Sequence, residues 1–414
     1  AIRSRSNVLN LYSKRDSWFW LSGSINPYRG CEHNCAYCDG KAQWYRIKNF
    51  GTFIRVKVDA AERFEEELLR LGYEPIYRPI EDTILRYLPE ASKLGTKQNI
   101  ISSIFPIAVG GGVCDLYQPA ERKFKVARKI LRKCRDFGIP VSILTKSSLV
   151  IRDLDLLSEI NKLSYSNVAF SITLMDDEVR QIFEPNSSST DKRFESLKTV
   201  RKNNLPGGVM LMPILPGIGD TEENLRSIIQ RAKQVKTNFV LPGGLTLKPG
   251  RNKNEFINVV RQNYAELLPI YTKMYGNNNK YGIPDSRYAK LNIYKLVNEI
   301  CRENAIPDRI PRYIPPGVIE KNFHVSTILF NLAYYYQWVI EKHWISVSPF
   351  IEAAETIESL TLDLSSLSKG ALVKHLELTN EEVIAVISEV LDTGNSTDLS
   401  EFQDPKTILA KDQN

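Results

Sequence analysis

Short apolar strands alternate with amphipathic helices from residue 53 to residue 247, and this rhythm limits the folds open to the chain more than any other feature. Residues 53–58 (FIRVKV) read as a strand, 60–71 as an amphipathic helix and 104–109 as a second strand. A helix then runs to residue 137. Strands follow at 141–145, 168–173, 209–212 and 239–247, separated by helices near 153–162, 176–183, 191–203 and 222–235. Parallel strands need long crossovers, so strands punctuated by helices predict an α/β fold with a parallel sheet. Residues 72–100 interrupt the first unit and read as an insertion, a short helix between prolines with no evident chemical role.

Outside that rhythm the chain divides into an N-terminal extension (1–24), a helical completion of the sheet region (251–320), a helical C-terminal domain (321–395) and a polar tail (396–414) expected to fray. In the C-terminal domain, helices are expected over 325–344 and near 349–360. A helix–turn–helix over 368–394 follows, with Thr379 to Glu382 as a capping box. The last pair weakly resembles half a winged helix. Its second helix carries Glu381, Glu382 and Glu389 and no basic residue, so a protein partner or a lid over the barrel is expected there rather than phosphate contact. Hydrophobic residues at 43% and charged residues at 25% exclude a wholly disordered, collagenous or coiled-coil chain. The net charge of +7 permits an anionic partner without demanding one. Residues 325–340 lack charge but number 16 and include Asn331 and Gln337, so a buried helix is expected rather than a membrane span.

Six cysteines are present, and residues 1–15 lack the apolar core of a secretory signal, so disulfides are not implied. Cys134 and Cys301 are scattered and read as core residues. Cys31, Cys35 and Cys38 crowd into a C-x3-C-x2-C loop that follows Pro27 and Gly30. Thiolates suit zinc or an iron–sulfur cluster. Structural zinc wants a fourth ligand, which neither His33, set between the cysteines, nor any downstream paired motif supplies. Three thiolates suit a four-iron cluster with one iron left open; zinc and coincidence remain the alternatives.

The string Asn26-Pro-Tyr-Arg-Gly-Cys31-Glu-His-Asn-Cys35-Ala-Tyr37-Cys38 resembles the signature of radical S-adenosylmethionine (SAM) enzymes. Within them it is similar to spore photoproduct lyase and its relatives, often labelled DNA repair photolyases. Further matching pieces follow in order: Asp115-x-Tyr117-Gln118-Pro119-x-Glu121, Thr145-Lys146-Ser147, Ser171-Ile172-Thr173, Phe183-Glu184-Pro185 with Arg193, and a proline-rich turn from Pro213 to Asp220. With a weaker stretch to about residue 310, the resemblance covers roughly three quarters of the chain.

The resemblance implies a partial (β/α)6 barrel in which Cys31, Cys35 and Cys38 hold a four-iron, four-sulfur cluster and SAM chelates the open iron. Reductive cleavage of SAM would then supply a 5′-deoxyadenosyl radical for hydrogen abstraction. It also implies a reductant such as flavodoxin or ferredoxin and a reducing cytoplasm, with no membrane. Polar groups at strand carboxyl ends are the candidates for holding SAM: Gly110, Gly111 and Gly112, Asp115, Lys146 and Ser171, with Tyr37 near the adenine. Each has a plainer alternative: a turn, a solvated lysine, a serine satisfying local backbone, a packed ring.

The chain departs from the family pattern twice. Asp39-Gly40 stands where a second aromatic is common, and Cys114 where Ser or Thr usually precedes the Asp. Cys114 is the candidate catalytic hydrogen donor, against a cofactor-facing or buried thiol; an auxiliary cluster with Cys134 and Cys301 lacks supporting spacing. Eight basic residues from Arg122 to Arg135 suit either nucleic-acid phosphates or a solvated helix face, the latter favoured. Three functions follow: DNA lesion repair, radical modification of a peptide, protein or small molecule, and a non-catalytic zinc or iron–sulfur module.

Overall fold

The computed structural model describes residues 1–3, 7–76, 105–111, 114–277, 279–289, 291–376 and 379–404. Its strands are β1 (Leu9–Leu11), β2 (Gly23–Ile25), β3 (Tyr28–Arg29), β4 (Arg55–Val56), β5 (Ile107–Val109), β6 (Val141–Thr145), β7 (Ser166–Ser171), β8 (Gly207–Ile214) and β9 (Val240–Gly244). Seven of them form one sheet in the order β1-β2-β5-β6-β7-β8-β9. From β2 to β9 every neighbour is parallel, and β1 joins the edge antiparallel. Six parallel strands with helical crossovers bear out the α/β, partial-barrel expectation.

Burial on both faces explains the strand sequences. All six residues of β7 (SNVAFS) are buried, and Ile143, Phe170, Val209, Leu211 and Val240 lie in one core with the helices outside. β8 begins with Gly207-Gly208, because a Cβ at Gly208 would collide with the Phe239 ring. The helix expected up to residue 137 is two helices, Ala120–Phe124 and Val126–Asp136. Lys125, at φ +50°, leaves the helical region between them. Ala127, Ile130, Leu131 and Cys134 recur at helical spacing on the buried face of the second helix.

Two strand expectations are corrected. Residues 53–58 do not open the barrel: only Arg55–Val56 is a strand, paired with Tyr28–Arg29 in a separate ribbon. The first parallel strand is β2, which precedes the cysteine loop. The N-terminal extension is therefore part of the sheet. Its β1 is held by Glu67 on the helix Ala60–Arg70, whose carboxylate accepts from the amides of Val8 (2.9 Å) and Leu9 (2.8 Å). The greater part of the insertion at 72–100 lies outside the described residues.

The C-terminal domain packs helices onto the barrel. Glu320–Tyr334 runs into a π turn at Tyr335–Val339, and Trp344–Ser359 lies against it, so the single helix expected over 325–344 is divided before Trp344. Trp20, Phe239 and Leu241 join Leu329, Phe350 and Ile387 in the second core. Among the described residues no helix is long and apolar enough to cross a membrane. The cap of Glu381–Thr393 is Asn380, whose side chain accepts from the Val383 amide, and not Thr379. The tail expected to fray begins in order: Thr397–Gln403 is a helix, with Leu399 buried and Phe402 stacked on Tyr335 at 4.7 Å.

Glu67→Ala would strand two edge amides. It is expected to cost about 2 kcal/mol in urea unfolding and to speed hydrogen exchange at Val8 and Leu9, with Glu67→Gln milder.

Candidate active site

The cysteine loop leaves β3 at the carboxyl end of the parallel sheet. Cys31 and Cys35 are buried and Cys38 is half-buried. Their side chains share a slot of about 110 Å³ with His33, Gly111, Cys114, Asp115, Lys146 and Ser171. Burial pushes all three thiols up, Cys35 to about 12 against the opposing charge of Lys146. Thiols so placed ionise only against strong positive charge, which bound iron supplies. Among the described residues no three His, Cys, Asp or Glu side chains are placed to hold a single ion. The three-thiol donor set fits a cluster whose irons are each bound by a different cysteine.

Lys146 follows β6 directly, half-buried, with no ion pair to it among the described residues. Its ammonium sits 5.6 Å from the Tyr37 ring centroid. Burial would lower its pKa, but Cys35 and Glu184 raise it, so it is a cation aimed into the slot. Such a group suits a cofactor carboxylate.

Beneath it lies a network that the sequence displayed only as unassigned motifs. Arg193 and Glu184 form a buried ion pair. The guanidinium also donates to the carbonyls of Ser171 (2.7 Å) and Ser188 (2.9 Å), while Tyr37 donates its hydroxyl to Glu184. Burial alone would raise the Glu184 carboxyl; Arg193 and Lys146 instead hold it below its ordinary value. Tyr37 is thereby fixed by its ring and its hydroxyl beside the cluster slot.

Asp115 is a clasp. Its carboxylate accepts from Thr145 Oγ1 (2.7 Å), the Lys146 amide (2.7 Å) and the Tyr117 amide (2.8 Å). Burial opposes ionisation there, but His33 and these donors hold its pKa at about 2. His33 lies 3.3 Å from Asp115 through Nε2 and donates from Nδ1 to the Asn186 carbonyl (2.9 Å), so its nitrogens join the cysteine loop to its neighbours. The Asp115 amide donates to Cys31 Sγ at 3.5 Å. Its carboxylate oxygens are thus engaged by the protein, and the residue touches the slot as a support.

A second cavity of about 680 Å³ continues from Cys38, Lys146, Gly111 and Ser171 across the strand ends at Met210 and Met212 to Asn10, Asp16 and Phe19. Tyr37 and Gly110 also line it. Gly110 (φ +84°) is needed for packing, since a Cβ would lie 2.7 Å from that of Leu116; Gly111 (φ +93°) faces open space. Gly112 lies outside the described residues. Cys114 lines the slot and not the larger cavity, its thiol donating to Asn26 Oδ1 at 3.6 Å. Asp39 is ion-paired with Lys248 (2.6 Å) and accepts from the Tyr45 hydroxyl (3.1 Å). Cys134 and Cys301 are core residues. In the basic helix, Arg128, Lys133 and Arg135 pair with Asp153, Glu65 and Glu159, as on a solvated outer face. The N-terminal wall of the larger cavity was missed; its one signal was the aromatic run Trp18-Phe19-Trp20.

The sequence model described as the Radical SAM superfamily matches residues 25–232. An uncharacterised protein of Methanocaldococcus jannaschii is 31% identical over 248 residues, 59% of this chain and 78% of that protein. An uncharacterised protein of Mycobacterium tuberculosis is 27% identical over 257 residues, 61% of this chain and 66% of its own length. A structure of spore photoproduct lyase complexed with dinucleoside spore photoproduct overlaps 72% of this chain and 77% of its own at 17% identity and a TM-score of 0.48, too distant to carry function.

Arg193→Ala would leave Glu184 buried without its counter-ion and is expected to lose about 3–5 kcal/mol of stability by urea unfolding. Tyr37→Phe removes one hydrogen bond and is expected to cost about 1–2 kcal/mol.

Proposed function

The chain belongs to the radical SAM superfamily, and on that premise we propose that it abstracts a hydrogen atom from a neutral or cationic organic group seated between the strand ends and the N-terminal segment. The observation that carries the catalytic reading is one slot holding two buried cysteines, a third half-buried one and a lysine cation with no ion pair among the described residues. Bound there, the four-iron, four-sulfur cluster and SAM supply a 5′-deoxyadenosyl radical.

The chain's own residues bind, orient and shield. Cys31, Cys35 and Cys38 would hold the cluster, leaving one iron without a thiolate from this triad. Lys146 would face the SAM carboxylate, with Gly111 and Ser171 beside it and Tyr37 held by Glu184. Phe19, Met210 and Met212 give the larger cavity apolar walls that exclude water from a reactive radical. Cys114 faces the cofactor slot, which favours a role toward the cofactor over hydrogen return to substrate.

Charge separates the substrate readings. Lys146 is the one cation among the described lining of the larger cavity, which also holds Asp16 and Asp39. Nucleic-acid phosphates call for several cations at the contact. The lining therefore favours modification of a peptide, protein or small molecule. Repair of the spore photoproduct lyase type rests on the motif resemblance.

The test is anaerobic. Protein reconstituted with iron and sulfide is given SAM and dithionite, and 5′-deoxyadenosine is quantified with and without ultraviolet-irradiated DNA. The account expects product from the wild type, none from Cys35→Ala, and no stimulation by damaged DNA. Stimulation by damaged DNA would restore the repair reading; a loaded, SAM-bound protein that makes no product would end the catalytic one.

A further inference from the structure

Residues 40–58 carry five basic residues and no acidic one. Lys41 is buried and spent on Glu255 (2.7 Å). Arg46, Lys48 and Arg55 are exposed and have no ion-pair partner among the described residues. Arg55 also stands directly opposite Arg29 in the β3–β4 ribbon. Like charges in that position destabilise an antiparallel pair, so the ribbon is better satisfied when something anionic lies across it. Beside these cations Trp44 and Phe53 are 49% and 58% exposed. Cations interleaved with exposed aromatic rings are the composition of a protein-docking surface.

The loop is also the outer cover of the cysteine loop. A Cβ on Gly30 would sit 3.2 Å from both Ile54 and the Phe53 carbonyl, and one on Gly51 would collide with Asn34. The patch thus lies one layer of residues outside Cys31 to Cys38. Of its residues only Tyr45 lines the larger cavity, so its cations are not placed to hold a substrate at the reacting end.

We propose that residues 43–55 form the docking surface for a small acidic electron-transfer protein that reduces the cluster, an inference that rests on the radical SAM reading above. One electron crosses per reduction, leaving the carrier oxidised by one electron and the cluster reduced by one, with no bond or proton exchanged at the interface. Charge complementarity brings the carrier to the face nearest the cysteine loop, and Trp44 and Phe53 supply the apolar contact.

The test uses full-length reconstituted protein and an acidic flavodoxin as the probe. Binding is measured by calorimetry as salt is raised until the Debye length falls below about 10 Å. The proposal expects binding that weakens with salt. It should weaken about tenfold or more in Arg46→Glu/Lys48→Glu/Arg55→Glu, and less in the corresponding triple Gln variant. The control Arg122→Glu/Lys123→Glu/Arg132→Glu, on the outer basic helix, should bind as wild type. Dithionite-driven 5′-deoxyadenosine formation should be equal in all of them, because a chemical reductant needs no docking. Absent binding by the wild type, equal binding by the reversed variant, or a DNA oligonucleotide that loses affinity in that variant while flavodoxin does not, would overturn the proposal. Failure of dithionite to drive any variant would instead strike the radical reading, while the binding data judged the surface separately.

Discussion

The buried pair of Arg193 and Glu184 is the interaction on which the site's geometry depends. Two charges withdrawn from water cost more than their attraction returns unless their remaining hydrogen-bonding capacity is also met. Here Arg193 reaches the Ser171 and Ser188 carbonyls and Glu184 receives Tyr37, so the pair is the centre of a satisfied network. That network joins the end of β7 to the aromatic residue between the second and third cysteines. It also leaves Lys146, raised by Cys35 and Glu184, as a cation lining the slot with no ion-pair partner among the described residues. Asp115 and His33 tie the same loop to the end of β6.

Charge is segregated around this frame. The larger cavity is poor in cations, whereas the loop just outside the cysteines is rich in them and lacks acids. On the readings proposed above, an electron carrier and a substrate would meet opposite surroundings. The segment from β1 to Trp20 lines one side of the larger cavity with Asn10, Tyr12, Asp16 and Phe19; Glu67 anchors it at one end, and the indole of Trp20 donates to the Ile310 carbonyl (2.9 Å) at the other.

Much of this was legible before any coordinates. β6 was expected at 141–145 and occurs at Val141–Thr145, because a short run burying Val141, Ile143 and Thr145 is bounded by Pro140 and Lys146. The cysteine spacing was legible because ligand geometry is local. β2 was not, since Gly-Ser-Ile is too short and too weakly apolar to stand out until its neighbour Ile107–Val109 is in place. Residues 53–58 alternate like a strand, yet their partner is the two-residue Tyr28–Arg29, and both together make a ribbon apart from the sheet. The roles of Glu184 and Arg193 were hidden for a different reason: they lie nine residues apart in sequence, and their meaning comes from Tyr37, 147 residues from Glu184. The helix at Thr397–Gln403 likewise depends on Phe402 finding Tyr335.

The central claim is that three thiolates hold a cluster whose fourth iron takes SAM. It is tested most directly by electron paramagnetic resonance of the reduced, reconstituted protein with SAM carrying an isotopically labelled amino nitrogen. A hyperfine coupling from that label, with a changed cluster spectrum, is the result the account predicts. A cluster spectrum unaltered by SAM, with no coupling to the label, would contradict it.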